Sequence, residues 1–167
     1  EGDWSNAAFW LCAGALSCKP VTVTGLDLAS DQGDMRVLDA LSSLGAYVRV
    51  QPGSGSATAC GANPETGEQC VLRAVTIDAR DVPDLIPVLS VVAACAEGPT
   101  RVVNAARLRM KESDRLKTTS KLLRSLGVTV EELPDGLVIH GRASVLDADA
   151  PFEGCAVTAH GDHRIAM

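Results

Sequence analysis

The sequence predicts an α/β fold built from repeated helix-and-small-sheet units. The segment Leu41-Ser42-Ser43-Leu44-Gly45-Ala46-Tyr47-Val48 returns as Leu123-Arg124-Ser125-Leu126-Gly127-Val128-Thr129-Val130, an internal repeat too ordered to ignore. Each copy ends an amphipathic stretch at a glycine and runs straight into alternating strand residues, the pattern of a helix stopped by a left-handed cap. Upstream of both copies lies another helix-length stretch followed by a short strand, so each unit reads helix, strand, helix, strand, strand.

Taken in order, Asp3 predicts the cap of a helix running through Leu16, followed by a strand from Val21 to Thr24. The helix ending at Gly45 leads into the next strand. The glycine-, serine- and alanine-rich stretch from Pro52 to Gln69 reads as a flexible surface loop. Asp84, after Val82-Pro83, predicts the cap of a helix through Ala96, with a strand from Thr100 to Asn104 behind it. Ser113 or Asp114 caps the helix that ends at Gly127. Strands Val128 to Glu131 and Leu137 to His140 are joined by Leu133-Pro134-Asp135-Gly136, which has the residues of a tight turn. Asp162 stands where a third helix begins. The organisation expected is one partial domain: residues 1–80 as a first unit with a flexible loop at 52–70, 81–158 as a second, and 159–167 as the start of a third.

At 167 residues and 46% hydrophobic content the chain can bury a core of its own. Its longest apolar stretch, Leu85 to Ala96, falls short of the roughly 20 residues a bilayer span needs, so no membrane partner is expected. The N-terminus opens on a helix cap without a basic leader, which reads as a chain cut from something longer. The six cysteines include no C-x-x-C pair, and no histidine stands at metal-ligand spacing, so no metal is expected and a reduced, cytoplasmic protein fits best. A net charge of -6 argues against nucleic acid. Any anionic ligand needs a local basic cluster.

The repeat supplies an internal control, because scaffold residues recur and site residues do not. Aligning Gly45 with Gly127 sets Ala29-Ser30-Asp31-Gln32-Gly33 against Lys111-Glu112-Ser113-Asp114-Arg115, so the second unit has gained Lys111, Glu112 and Arg115 at one turn. At a helix start, free N–H groups and the helix dipole already favour an anion. Arg107, Arg109, Lys117 and Lys121 extend the basic region, and most of them read as a solvated surface. Glu112 is either a salt-bridge partner that positions Lys111 and Arg115 or a proton donor and acceptor. Asp84 reads first as a cap, although a cap can serve chemistry when its second oxygen faces a cleft. In Ala159-His160-Gly161-Asp162-His163-Arg164, Arg164 can clamp a carboxylate or phosphate and His163 can carry a proton.

Asn104-Ala105-Ala106-Arg107-Leu108-Arg109-Met110-Lys111-Glu112-Ser113-Asp114-Arg115-Leu116 and Gly161-Asp162-His163-Arg164-Ile165-Ala166-Met167 resemble signature segments of the 3-phosphoshikimate 1-carboxyvinyltransferase (EPSP synthase) family. Two further segments, Glu1 to Phe9 and Val82 to Pro87, are similar to others, and the four occur in family order along nearly the whole chain. The resemblance implies an inverse α/β barrel, or prism, of the enolpyruvyl transferase type. In that architecture each of two domains holds three small helix-and-sheet units, and the site lies in the cleft between domains. This chain resembles most of one domain. The second domain, a partner in the same polypeptide, together with the first strand and the C-terminal tail, would carry the family's serines, glutamine, N-terminal lysine and cleft arginine, and a late lysine.

The resemblance also implies a reaction and roles. Phosphoenolpyruvate and shikimate 3-phosphate react by addition and elimination, giving 5-enolpyruvylshikimate 3-phosphate and phosphate without a cofactor. Asp84 matches the residue that handles the proton of the 5-hydroxyl, and Glu112 the one near the methylene carbon of phosphoenolpyruvate. Lys111 matches a shikimate 3-phosphate ligand, Arg115 and Arg164 the pair on the phosphoenolpyruvate carboxylate, and His163 lines the same pocket. Arg107 departs from the family, which often has a substrate-binding asparagine there. The chain alone, lacking the opposite wall, is expected to be inactive. The alternatives are the related transferase acting on UDP-N-acetylglucosamine and a non-catalytic phosphate-binding domain; the Lys-Glu-Ser-Asp-Arg and Asp-His-Arg segments favour the shikimate enzyme.

Overall fold

The structure, a computed structural model, describes residues 2–142, 152 and 156–167. The end expected for the second unit lies largely outside the described residues, as does Cys155. The helices are α1 (Trp4–Ala15), α2 (Val37–Leu44), α3 (Ile86–Ala94), α4 (Arg115–Ser125) and α5 (His163–Ala166). One sheet holds β1 (Val21–Val23), β2 (Tyr47–Gln51) and β3 (Ser56–Cys60) in the order β1-β3-β2, antiparallel throughout. The other holds β4 (Thr76–Asp78), β5 (Gly98–Val103), β6 (Thr129–Leu133) and β7 (Gly136–Gly141) in the order β4-β5-β7-β6. Strands β5, β7 and β6 are antiparallel neighbours in the same order as β1, β3 and β2, and β4 adds a parallel edge against β5.

The reading of 52–70 as a flexible loop is wrong. Its residues Ser56–Cys60 form β3, the central strand of the first sheet, pairing Val21↔Ala59 on one side and Val48↔Ala59 on the other. Sequence reasoning missed it because Ser-Ala-Thr-Ala-Cys lacks the large β-branched and aromatic residues that signal a strand. The small residues serve close packing instead. Gly14 of α1 lies so near β3 that an added Cβ would stand 2.5 Å from the Ala59 carbonyl oxygen. Helix propensity alone would make Gly14→Ala stabilising by about 1 kcal/mol. Overpacking against backbone costs about 1–3 kcal/mol, so the variant is expected to be less stable, as urea unfolding of the chain would read.

The cap at Asp3 follows the sequence, and of Ser113 and Asp114 the structure selects Asp114: Asp3 accepts from the Ser5 N–H at 3.0 Å and Asp114 from that of Lys117 at 3.1 Å. Gly45, at φ 98°, and Gly127, at φ 80°, end their helices in the left-handed region. Asp84 departs from its expected role as a cap. It lies inside a 3-10 turn, Pro83–Leu85, and its side chain caps no helix. Pro83 and Pro87 explain this, since a proline in the first turn has no N–H to satisfy. The Asp84 carboxylate is therefore available to other partners.

One core runs between the helices and both sheets. Trp4 and Leu11 of α1, Leu41 and Leu44 of α2, Ile86 and Leu89 of α3, Leu116 and Leu123 of α4 and Leu137 of β7 are all fully buried within it. Five cysteines, Cys12, Cys18, Cys60, Cys70 and Cys95, are free thiols. Among the described residues no helix is long and apolar enough to cross a membrane. Packing brings the starts of α3, α4 and α5 to one place, and there the charged residues meet.

Candidate active site

Two separate stretches of chain deliver three cations to one carboxylate. The Arg115 Nη1 donates to Asp84 Oδ1 at 2.6 Å, Lys111 Nζ reaches the same oxygen at 3.2 Å, and Arg164 Nη2 lies 3.8 Å from Oδ2. Arg115 is the first residue of α4, and its side chain is only 1% exposed. Burying a guanidinium is costly unless its N–H groups are met by opposite charge. Here Nε donates to Asp162 Oδ2 at 2.8 Å, and Nη2 donates to Asp162 Oδ1 at 3.2 Å and to Glu112 Oε2 at 2.6 Å.

Asp162 is the residue sequence reasoning undervalued. As expected it caps α5, accepting from the Arg164 N–H at 3.0 Å, but the same buried carboxylate also clamps Arg115 and accepts from the Ser113 hydroxyl at 2.9 Å. The signal was its recurrence with Asp3 in a place where, unlike Asp3, it adjoins an arginine. Burial pushes the Asp162 carboxyl up, but the hydrogen bonds from Arg115 and Ser113 outweigh it and hold the group below the usual carboxylate range. Asp84 follows the same pattern, burial being overcome by hydrogen bonds from Arg115 and Lys111. For Arg115, burial acts downward and is outweighed by Asp162 and Asp84, which raise it above the ordinary value. Asp84, Glu112 and Asp162 thus balance Lys111, Arg115 and Arg164, charge for charge.

The other expected site residues fall into place unevenly. Glu112 ion-pairs with Arg115 rather than Lys111, and its side chain is half exposed. Arg164 has a nearly buried side chain whose guanidinium sits 5.9 Å from the centre of the Phe9 ring; its Nε has no partner among the described residues. It lines an apolar groove of about 360 Å³ together with Phe9, Cys12, Val88, Val91 and Ile165. His163 is exposed at the start of α5 and its side chain makes no hydrogen bond or ion pair among the described residues, so the imidazole does not join the cluster. Arg107, Lys117 and Lys121 are exposed, as a solvated surface requires, whereas Arg109 is half-buried and bonded. In the earlier copy of the sequence repeat the corresponding turn does scaffold work: Gln32, opposite Asp114, accepts from the Trp4 N–H at 3.0 Å. Among the described residues no group of histidine, cysteine and carboxylate side chains could hold a metal.

Known proteins share this arrangement of elements. The 3-phosphoshikimate 1-carboxyvinyltransferase of Clostridium acetobutylicum is 42% identical over 167 residues, which is 100% of this chain and 34% of that protein. That of Methanocorpusculum labreanum is 40% identical over 166 residues, 99% of this chain and 35% of that protein. The chain thus spans about a third of the length of the curated relatives it matches. Among solved structures, EPSP synthase from Acinetobacter baumannii superposes with a TM-score of 0.77 at 28% identity, over 97% of this chain and 37% of that one. The enolpyruvyl transferase NikO from Streptomyces tendae superposes with a TM-score of 0.62 at 25% identity, over 83% of this chain and 30% of that one. The family model for EPSP synthase (3-phosphoshikimate 1-carboxyvinyltransferase) matches residues 1–167, from end to end, and the chain belongs to that family.

Proposed function

We propose that the full-length protein transfers the enolpyruvyl group of phosphoenolpyruvate to the 5-hydroxyl of shikimate 3-phosphate, and that this chain supplies one wall of the site. On this reading residues 1–80 and 81–158 are two repeat units and 159–167 begins a third, with the opposite wall contributed by a second domain of the same polypeptide. The observation that carries the reading is the convergence of Lys111, Arg115 and Arg164 on Asp84. A reaction between two phosphorylated anions needs such a gathering of cations, and it needs carboxylates among them for proton transfer.

The charge balance suggests how binding and chemistry are linked. While Lys111 and Arg115 bond Asp84, its carboxylate is a weak base. When Lys111 turns to the phosphate of one substrate and Arg164 to the carboxylate of the other, Asp84 loses positive neighbours and its proton affinity rises, as accepting the 5-hydroxyl proton requires. Glu112, half exposed on the adjoining turn, has a second oxygen free of Arg115 to exchange a proton with the methylene carbon. Arg115 has four of its contacts filled by carboxylates, so its part is to orient the cluster and offer its remaining N–H.

The test is phosphate release by the full-length protein given phosphoenolpyruvate with shikimate 3-phosphate, or with UDP-N-acetylglucosamine in its place. Release is expected only with shikimate 3-phosphate. Release only with the nucleotide sugar would overturn the substrate, and binding of both shikimate-pathway substrates without turnover would overturn the enzyme. The 167-residue chain alone is expected to release none, because a one-sided wall leaves its anions in water, where each cation contributes little.

A further inference from the structure

The turn that carries Lys111 and Glu112 is held from outside. It leaves β5 through Asn104, passes a 3-10 turn at Ala106–Met110 and reaches α4 at Arg115. At its near end Asp135, in the β6–β7 turn, accepts from the Ala105 N–H through its carbonyl at 3.1 Å and from the Ala106 N–H through its carboxylate. Further on, the Arg109 guanidinium reaches back to the same hairpin. It donates to the Leu133 carbonyl at 2.7 Å, to the Pro134 carbonyl at 3.0 Å and to Glu132 Oε1 at 2.9 Å. Its Nη1 also donates to Asp114 Oδ2 at 2.9 Å, the second oxygen of the carboxylate that caps α4. One half-buried side chain therefore ties a rigid hairpin to the residue immediately before Arg115.

We propose that Arg109 is a positioning residue: it fixes the turn bearing Lys111 and Glu112, and the start of α4 bearing Arg115, by clasping the Asp114 cap to the β6–β7 hairpin. This rests on the site reading given above. The fork geometry matters, because the four acceptors approach from different sides, and an ammonium on a flexible stem cannot meet them together. Glu132 and Asp114 both accept from the Arg109 Nη1, their hydrogen bonds outweighing the effect of burial and raising its pKa. None of its hydrogen bonds or ion pairs is to Asp84, Glu112 or Arg115, so its influence on them runs through the backbone.

The experiment uses the full-length protein with Arg109→Ala, Arg109→Lys, Asp114→Asn and the double variant Arg109→Ala/Asp114→Asn. Asparagine keeps a good helix cap but turns a donor toward Arg109. Arg109→Ala is expected to lower kcat/KM for both substrates about 30-fold, the scale of a sub-ångström to 1 Å displacement of reacting groups. Lysine should recover only part of it, free guanidinium ion should restore part to the alanine variant, and the double variant should be less than about twofold worse than Arg109→Ala, since both break one clasp. Hydrogen exchange supplies a reading that needs no substrate: the Lys117 and Thr118 amides, bonded to Asp114, should exchange about tenfold faster in Arg109→Ala while those of α1 and β7 do not change. Unaltered kcat/KM with unaltered exchange would overturn the proposal, and so would exchange that rises everywhere, which would make Arg109 an ordinary stabilising residue. Should the wild-type protein show no transfer, the site reading fails, and the local exchange still decides whether Arg109 orders this turn.

Discussion

Replacing Glu112 by glutamine in the full-length protein is expected to lower kcat by about 10²–10⁴-fold, the range for losing one positioned acid-base group, with KM for phosphoenolpyruvate changed far less. Glutamine keeps the shape and its carbonyl still accepts from the Arg115 Nη2, so the cluster stays assembled while proton transfer is lost. Initial-rate kinetics with both substrates varied would measure the split. Arg115→Ala is a poorer probe of phosphoenolpyruvate binding than residue type suggests. It leaves Asp162 buried without its counter-ion and frees Asp84 and Glu112 together, so binding, turnover and stability all fall. If Glu112→Gln instead shifted kcat and KM in the same proportion as Arg115→Ala, Glu112 would be a prop for the arginine and no proton carrier.

The largest expected loss of stability comes from Asp162→Asn. Removing one partner of a buried ion pair costs about 3–5 kcal/mol, and Arg115 keeps Asp84 and Glu112, which places the loss at the lower end, about 3 kcal/mol. A matched control is Arg36→Ala: Arg36 Nη1 stands 2.7 Å from Asp81, as short as the buried contact, yet the side chains are 59% and 64% exposed. A pair so exposed contributes under about 1 kcal/mol. Distance is the same, and burial decides the difference. Urea unfolding of the chain would compare them. The pH dependence has a definite sign. Because the Asp162 carboxyl is held low, its contribution is complete above the unfolded carboxyl value of about 3.9 and is lost as pH falls through the lower folded value. The gap between wild type and Asp162→Asn should therefore be full at neutral pH and narrow below about pH 4. A gap that did not change with pH would show that Asn disturbs packing and not charge.

The sequence by itself determined what short windows can encode. The repeat centred on Gly45 and Gly127, the cap at Asp3, a cap at Ser113 or Asp114 and the gain of Lys111, Glu112 and Arg115 in the second copy are all local facts, set by periodicity, by φ > 0 at two glycines and by unpaired N–H groups at helix starts. Only the tertiary structure decided that β3 is a central strand, because its small residues answer to Gly14 on a helix distant in sequence and not to their own β preference. The tertiary structure also decided that Asp84 faces cations rather than capping a helix, and that Asp162 serves α5 and Arg115 at once. A carboxylate's partner is whichever cation the packing of three helix starts brings within about 3 Å, a distance set by the shared core beneath them, and no window of sequence contains both sides of that contact.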